Sequence, residues 1–210
     1  LTWATADSPA PPTVAAGDLL LIVLSYANNI ALNHVRHDGD DLTRAGGGWL
    51  TSAGLRQEYW YITAPASGLK EITVQFASAM FNGVSVCAMC FAGASGIGVL
   101  DTNDISATPH TQSITVSEGS MVYATMSSTG SHTSIAIDGT TILPANFEPN
   151  QVNVNKIVSG AWTTSSLSAG SIDVVTSQPT GSLSNSSIEI LATVAPPVTG
   201  ATGNFLMMFR

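Results

Sequence analysis

The sequence predicts an all-β protein, an antiparallel, jelly-roll-like β-sandwich built from two pseudo-repeated halves. Three observations point there. Runs of four to nine residues rich in Val, Ile, Thr and aromatics recur between clusters of Gly, Pro, Asn and Ser. No stretch holds a helical period for longer than about two turns. Two sets of these runs also echo each other along the chain.

Individual segments show why each reads as a strand. In Lys70–Phe76 the apolar residues Ile72, Val74 and Phe76 alternate with Glu71, Thr73 and Gln75, the pattern of a strand with one face in water. Leu19–Leu24 and Val84–Phe91 are apolar on both faces, so both faces need cover. They are expected to lie centrally or to face another chain. Further strands are expected around 56–63, 113–117, 121–127, 133–137, 156–163, 171–176, 187–194 and 204–210. Ser8-Pro9-Ala10-Pro11-Pro12 stiffens an extended arm over residues 1–16, ahead of a single sandwich over 17–210.

The echo has an offset of 102 residues: Gly17-Asp18-Leu19 answers Gly119-Ser120-Met121, Trp60 answers Trp162, Gly68 answers Gly170, and Val86–Met89 answers Ile188–Leu191. It divides the sandwich into halves at 17–102 and 119–210. Trp60 and Trp162 are expected to be equivalent aromatic anchors of the core.

Composition excludes several function classes. Of 210 residues 10% are charged, against about a quarter in soluble domains, and Ser, Thr, Asn and Gly supply the polarity instead. The net charge is −8 with six Lys and Arg, scattered along the chain, too few to neutralise a run of phosphates; nucleic acid is not an expected partner. Insertion in a membrane is not expected either, since no apolar run approaches the ~20 residues of a spanning helix.

Residues 17–93 resemble a widespread β-sandwich domain of bacteriophage virion and tail-associated proteins and some bacterial surface proteins. The resemblance rests on Gly17-Asp18-Leu-Leu-Leu-Ile-Val, on Tyr59-Trp60-Tyr61-Ile62-Thr63-Ala64-Pro65-Ala66-Ser67-Gly68, on Ile72-Thr73-Val74, and on Val84–Gly93. Residues 112–194 follow the pattern more loosely; Leu167 stands where Pro65 would be echoed. The family implies a structural or receptor-facing module in a virion or on a cell surface, with no active site to carry over.

Few residues suggest chemistry. His34, His37, Asp38 and Asp40 form the only weak candidates for a metal site; an exposed turn at Asp38-Gly39 is the plainer reading, and no metal is expected. Cys87 and Cys90 lie three apart, on opposite faces of a strand, which fits buried free thiols better than a redox pair. No nucleophile elbow or phosphate loop occurs. Glu58, Glu71 and Glu189 read as ordinary strand acids. Neither catalysis nor a cofactor is expected.

Contact with partners is the expected role. Trp3, Trp49, Phe205, Met207 and Phe209 are the candidate interface or ligand residues, Trp49 because it follows Gly46-Gly47-Gly48. The leading expectation is a non-catalytic subunit that packs with copies of itself or with other virion or surface proteins. The alternative is a carbohydrate-binding or adhesion module, in which Trp49 and the 34–41 loop form a rim for glycans.

Overall fold

A computed structural model describes residues 2–4, 18–26, 30–50, 55–65, 67–68, 70–78, 84–105, 109–128, 134–142, 157–163, 166–177, 183–192 and 206–208. The first part of the chain forms β1 (Thr2–Ala4), β2 (Leu19–Tyr26), β3 (Leu32–His37), β4 (Asp40–Asp41), β5 (Thr43–Leu50), β6 (Leu55–Thr63), β7 (Glu71–Phe76) and β8 (Val84–Phe91). Next come β9 (Ala94–Ile105), β10 (His110–Val116), β11 (Met121–Ser128), β12 (Ser134–Ile137), β13 (Thr140–Ile142), β14 (Ile157–Trp162), β15 (Gly170–Ser177), β16 (Leu183–Ala192) and β17 (Leu206–Met208). The described residues contain no helix, and all pairings are antiparallel.

The strands form four sheets, ordered β1-β7-β3-β4, β17-β8-β2-β6-β5, β14-β11-β16-β9 and β10-β15-β12-β13. Alternation along β2 shows how they stack. Leu20, Ile22, Leu24 and Tyr26 pack with Val35, Ile72 and Val74 of the first sheet. Leu19, Leu21 and Val23, pointing the other way, pack with Met121, Tyr123, Ile188 and Ile190 of the third. On the far side of the third sheet, Val122, Ala124 and Met126 meet Ile114, Ile135, Ile172 and Val174 of the fourth. Four layers therefore enclose three apolar interfaces.

Each half supplies an outer sheet that covers one face of its inner sheet. The doubly apolar strands β2 and β8 lie centrally, as expected, and the cover for their second face comes from the other half of the same chain. The Thr2–Ala4 part of the expected arm is an edge strand on β7, with Trp3 opposite Ile72. Pro9, Pro11 and Pro12 lie outside the described residues.

The repeat is topological, and its register drifts. With β2 matched to β11, Leu19 opposes Phe91 while Met121 opposes Ile190, so the counterpart of residue 91 is 190 and not 193. Ile22 opposes Trp60, yet its counterpart Ala124 opposes Ala161, so Trp162 is not the counterpart of Trp60. A slip of one residue exchanges the faces of a strand. Both halves also carry an Asp-Gly hairpin turn, Asp38-Gly39 and Asp138-Gly139, with all four residues at positive φ. That geometry matches the right-handed twist of the strands it joins.

Candidate functional site

Among the described residues, three clusters of buried polar side chains stand out, each at a different interface between sheets. The first surrounds Glu58 on β6, between the first and second sheets. Its carboxylate accepts from Arg56 Nε at 2.6 Å, Tyr26 Oη at 3.1 Å and Trp60 Nε1 at 3.1 Å, and Arg44 Nε lies 3.3 Å away. Glu58 is 1% exposed. Burial, and then the negative charge of Glu58, push the Tyr26 phenol well above its ordinary value, so it stays protonated and donates. Three hydrogen-bond donors and the Arg44 guanidinium thus surround one buried carboxylate.

The second cluster crosses the interface between the two inner sheets. Tyr59 Oη lies 2.5 Å from Thr125 Oγ1 and also bonds Ser186 Oγ; Ser186 Oγ donates to Gln57 Oε1 at 2.8 Å. Thr125 and Ser186 are themselves 2.7 Å apart, closing a ring between β6 on one side and β11 and β16 on the other. Burial pushes the Tyr59 phenol up to about 12 even though both hydroxyl partners favour its ionised form. Nearby, Tyr123 reaches back toward Cys87 Sγ at 3.9 Å, a weak contact.

Glu189 on β16 forms the third. One carboxylate oxygen accepts from the Ser117 N–H at 2.6 Å and from Ser120 Oγ at 2.8 Å; the other accepts from the Val99 N–H at 3.1 Å. Burial alone would raise this carboxyl, but the donors outweigh it and hold it below the usual range. The carboxylate lies at a β-bulge between β16 and β9. Gly98 makes that possible, because a Cβ there would collide with the Glu189 carboxylate.

These positions correct the reading of Glu58 and Glu189 as ordinary strand acids. Of the three, only Glu71 is exposed. Glu58 and Glu189 also lie on opposite sides of the inner interface, so they do not form a carboxylate pair across a shared substrate site. Both were hard to find from sequence: Glu189 sits singly between Ile188 and Ile190, and Glu58 follows the polar pair Arg56-Gln57. The available signal was Gly98 for Glu189, and two Arg and a Trp within two β6–β5 rungs for Glu58.

The weak metal candidates separate. His37 is 1% exposed, at the core position that Ile137 fills in the second half, and neither ring nitrogen has a hydrogen-bond partner among the described residues. His34 is half-buried; Asp38 and Asp40 are exposed at the turn, with Asp38 2.8 Å from Lys70 Nζ. Among the described residues, no three His, Cys, Asp or Glu are placed to hold a metal. Cys87 and Cys90 are free and buried in different interfaces, Cys87 facing the other half and Cys90 the outer sheet. Burial pushes both thiols up, Cys90 to about 12.

Of the contact candidates, Trp49 lies on β5 opposite Arg56, and Met207 on β17 opposite Cys87. Phe205 and Phe209 lie outside the described residues. The structure does not bring Trp49 and the 34–41 hairpin together. The hairpin runs directly into the Thr43 end of β5, and Trp49 is six residues further, roughly 20 Å along a strand. The glycine run before Trp49 serves packing: a Cβ on Gly47 would strike the backbone of Gln57 and Glu58. No family model matches the sequence, and a search of curated proteins finds no match to it.

Proposed function

We propose that this chain is a non-catalytic structural subunit of a virion or surface assembly, the role implied by the phage-type strand pattern of residues 17–93, and that it works by packing with copies of itself or with other assembly proteins. The observation that carries the reading is the fate of the reactive groups. Glu58, Glu189, His37, Cys87 and Cys90 are all buried, and the two carboxylates each accept three hydrogen bonds. Such placement spends acids and bases on holding the layers together.

The kind of contact differs from the sequence expectation. The apolar strand faces set aside for neighbouring copies are covered internally, and Val99 is the one exposed large hydrophobic residue among those described. The outer face of β10 carries Thr111, Ser113 and Thr115, with Ser113 Oγ donating to Asp173 at 2.7 Å. Neighbours are therefore engaged through strand edges and polar surface, which keeps each copy soluble before assembly. Light scattering across a dilution series tests this. The expected outcome is a mass that rises from monomer to a defined oligomer at micromolar concentration; a monomer at every concentration, with no docking on partner particles, overturns it.

A further inference from the structure

The second half departs from the first at one place in its core. With β2 matched to β11, Val86 and Ala88, opposite Leu24 and Ile22, answer Asn185 and Ser187, opposite Met126 and Ala124. With the two Asp-Gly hairpins matched, Val74, opposite Val35, answers Thr176, opposite Ile135. Val74, Val86 and Ala88 belong to the apolar interface between the first and second sheets. Their counterparts are all polar, and all are fully buried between the third and fourth sheets. Gln112 of β10 joins them, 3% exposed, on the same sheet face as Thr176 and Ile114.

These four side chains do not satisfy one another. Ser187 Oγ donates to Gln112 Oε1 at 3.1 Å, and Asn185 Nδ2 donates to Thr176 Oγ1 at 3.3 Å. Gln112 Nε2, a donor, and Asn185 Oδ1, an acceptor, then have no hydrogen-bond partner among the described residues. The Ser187 hydroxyl still has a lone pair to offer and the Thr176 hydroxyl a proton. All four lie in one patch. Asn185 and Ser187 are two residues apart on one face of β16, about 7 Å, and Gln112 and Thr176 sit diagonally on β10 and β15, about 7–8 Å apart. Turning both amides over exchanges the donor with the acceptor and leaves the same count.

We propose that the second half binds one internal water here, which accepts from Gln112 Nε2 and the Thr176 hydroxyl and donates to Asn185 Oδ1 and Ser187 Oγ. Two donors and two acceptors match the two lone pairs and two protons of water, and a buried water needs two to four such partners. An anion would leave Asn185 Oδ1 unpaired, a cation would face the Gln112 N–H groups, and burial excludes anything larger. The water ties β10 and β15 to β16, as the ring around Tyr59 ties the two inner sheets. The site is independent of any role in an assembly.

Water–amide cross-relaxation tests it on the folded, isotope-labelled chain. The side-chain amides of Gln112 and Asn185 are expected to show rotating-frame cross-peaks at the water frequency, opposite in sign to the diagonal. A hydroxyl in exchange with bulk water can relay such a peak. The Gln112 peak is therefore read in Ser187→Ala and the Asn185 peak in Thr176→Val, each of which leaves the water its other partners. Peaks that vanish in these variants came from the hydroxyls and overturn the proposal, as does their absence from the parent chain. Magnetic relaxation dispersion of the water oxygen supplies a count. Gln112→Leu, Thr176→Val, Asn185→Val and Ser187→Ala in one chain give this interface an apolar core like that of the first half, and the dispersion amplitude is expected to fall by one long-lived water. An unchanged amplitude, in a chain whose circular dichroism matches the parent, overturns the proposal. If that chain fails to fold, the cross-peaks of the parent and of the two single variants decide it.

Discussion

Glu189 carries its charge into the protein because backbone N–H groups replace the water it loses. Its folded pKa lies below the ordinary carboxylate value of 4.5, so its contribution to stability is fully present above that value and is lost as pH falls through the folded pKa. Glu189→Gln, which keeps the shape and surrenders the charge, is expected to cost about 1–3 kcal/mol at pH 7. The deficit should narrow as the parent is titrated below pH 4.5; urea unfolding at pH 7 and in that acid range checks this, and a constant deficit contradicts it. His37 has the opposite problem, since it occupies an apolar site with no hydrogen-bond partner among the described residues. Burial lowers its pKa below 6.5, with Asp38 and Asp40 opposing that shift and Lys70 adding to it. The unfolded chain therefore takes up the proton first, and stability is whole above pH 6.5 and falls below it. His37→Ile, which installs the residue found at position 137, is expected to raise the urea midpoint and to flatten its decline between about pH 7.5 and 5. An equal decline in both proteins removes His37 as the cause.

At the level of strands, pairing depends on local alternation, whereas the choice of partner face depends on residues far away in sequence. That division explains what was legible. The half-exposed pattern of Glu71–Phe76 gave its burial correctly, with Ile72 and Val74 inside and Glu71 and Gln75 outside. The three-residue spacing of Cys87 and Cys90 likewise placed them on opposite faces. What a run such as Leu19–Leu24 does not contain is the identity of the cover for its second face; another half and another chain demand the same residues. The register drift was hidden for a related reason, because a one-residue slip in β14 leaves strand and turn positions in phase while exchanging the faces. The candidate site was less legible than the fold, since Glu58 and Glu189 look like surface acids until the donors that surround them are known. Tyr59 offers a measure of how far the inner interface depends on its polar ring. Tyr59→Phe strands Thr125, Ser186 and Gln57 with one partner fewer each or a poorer geometry, at an expected cost of about 1–2 kcal/mol. Tyr123→Phe removes only a long contact to sulfur and is expected to be close to neutral. Denaturant midpoints that rank the two the other way refute this account of the interface.

Across the whole molecule, the middle of the three apolar interfaces decides whether the halves behave as one protein or two. Its residues come from both inner sheets: Leu21, Val23, Tyr59, Met89 and Phe91 from one, Met121, Tyr123, Ile188 and Ile190 from the other. The two outer interfaces each belong to one half, and taken alone they would let the halves unfold independently. Separating the halves, however, exposes a full sheet face of Leu, Val, Met and Ile on each, at about 25 cal/mol for every Å² of apolar area returned to water. The strand crossings of β9 and β17 add to the penalty, since each half then also loses an edge strand supplied beyond its own last strand. Unfolding is therefore expected to be a single cooperative transition, coincident by near-UV and far-UV circular dichroism. Leu21→Asp places a carboxylate against Met121 and Ile188 with no donor to meet it, and the expected result is a fall in the midpoint that both halves share, with apolar dye binding appearing in the same transition. A variant that loses only part of its signal at low urea, leaving a second transition at the parent midpoint, would show that the outer sandwiches stand without the inner one. The four layers would then be two domains that touch, and the burial of β2 and β8 would be a consequence of their proximity and not the cause of their union.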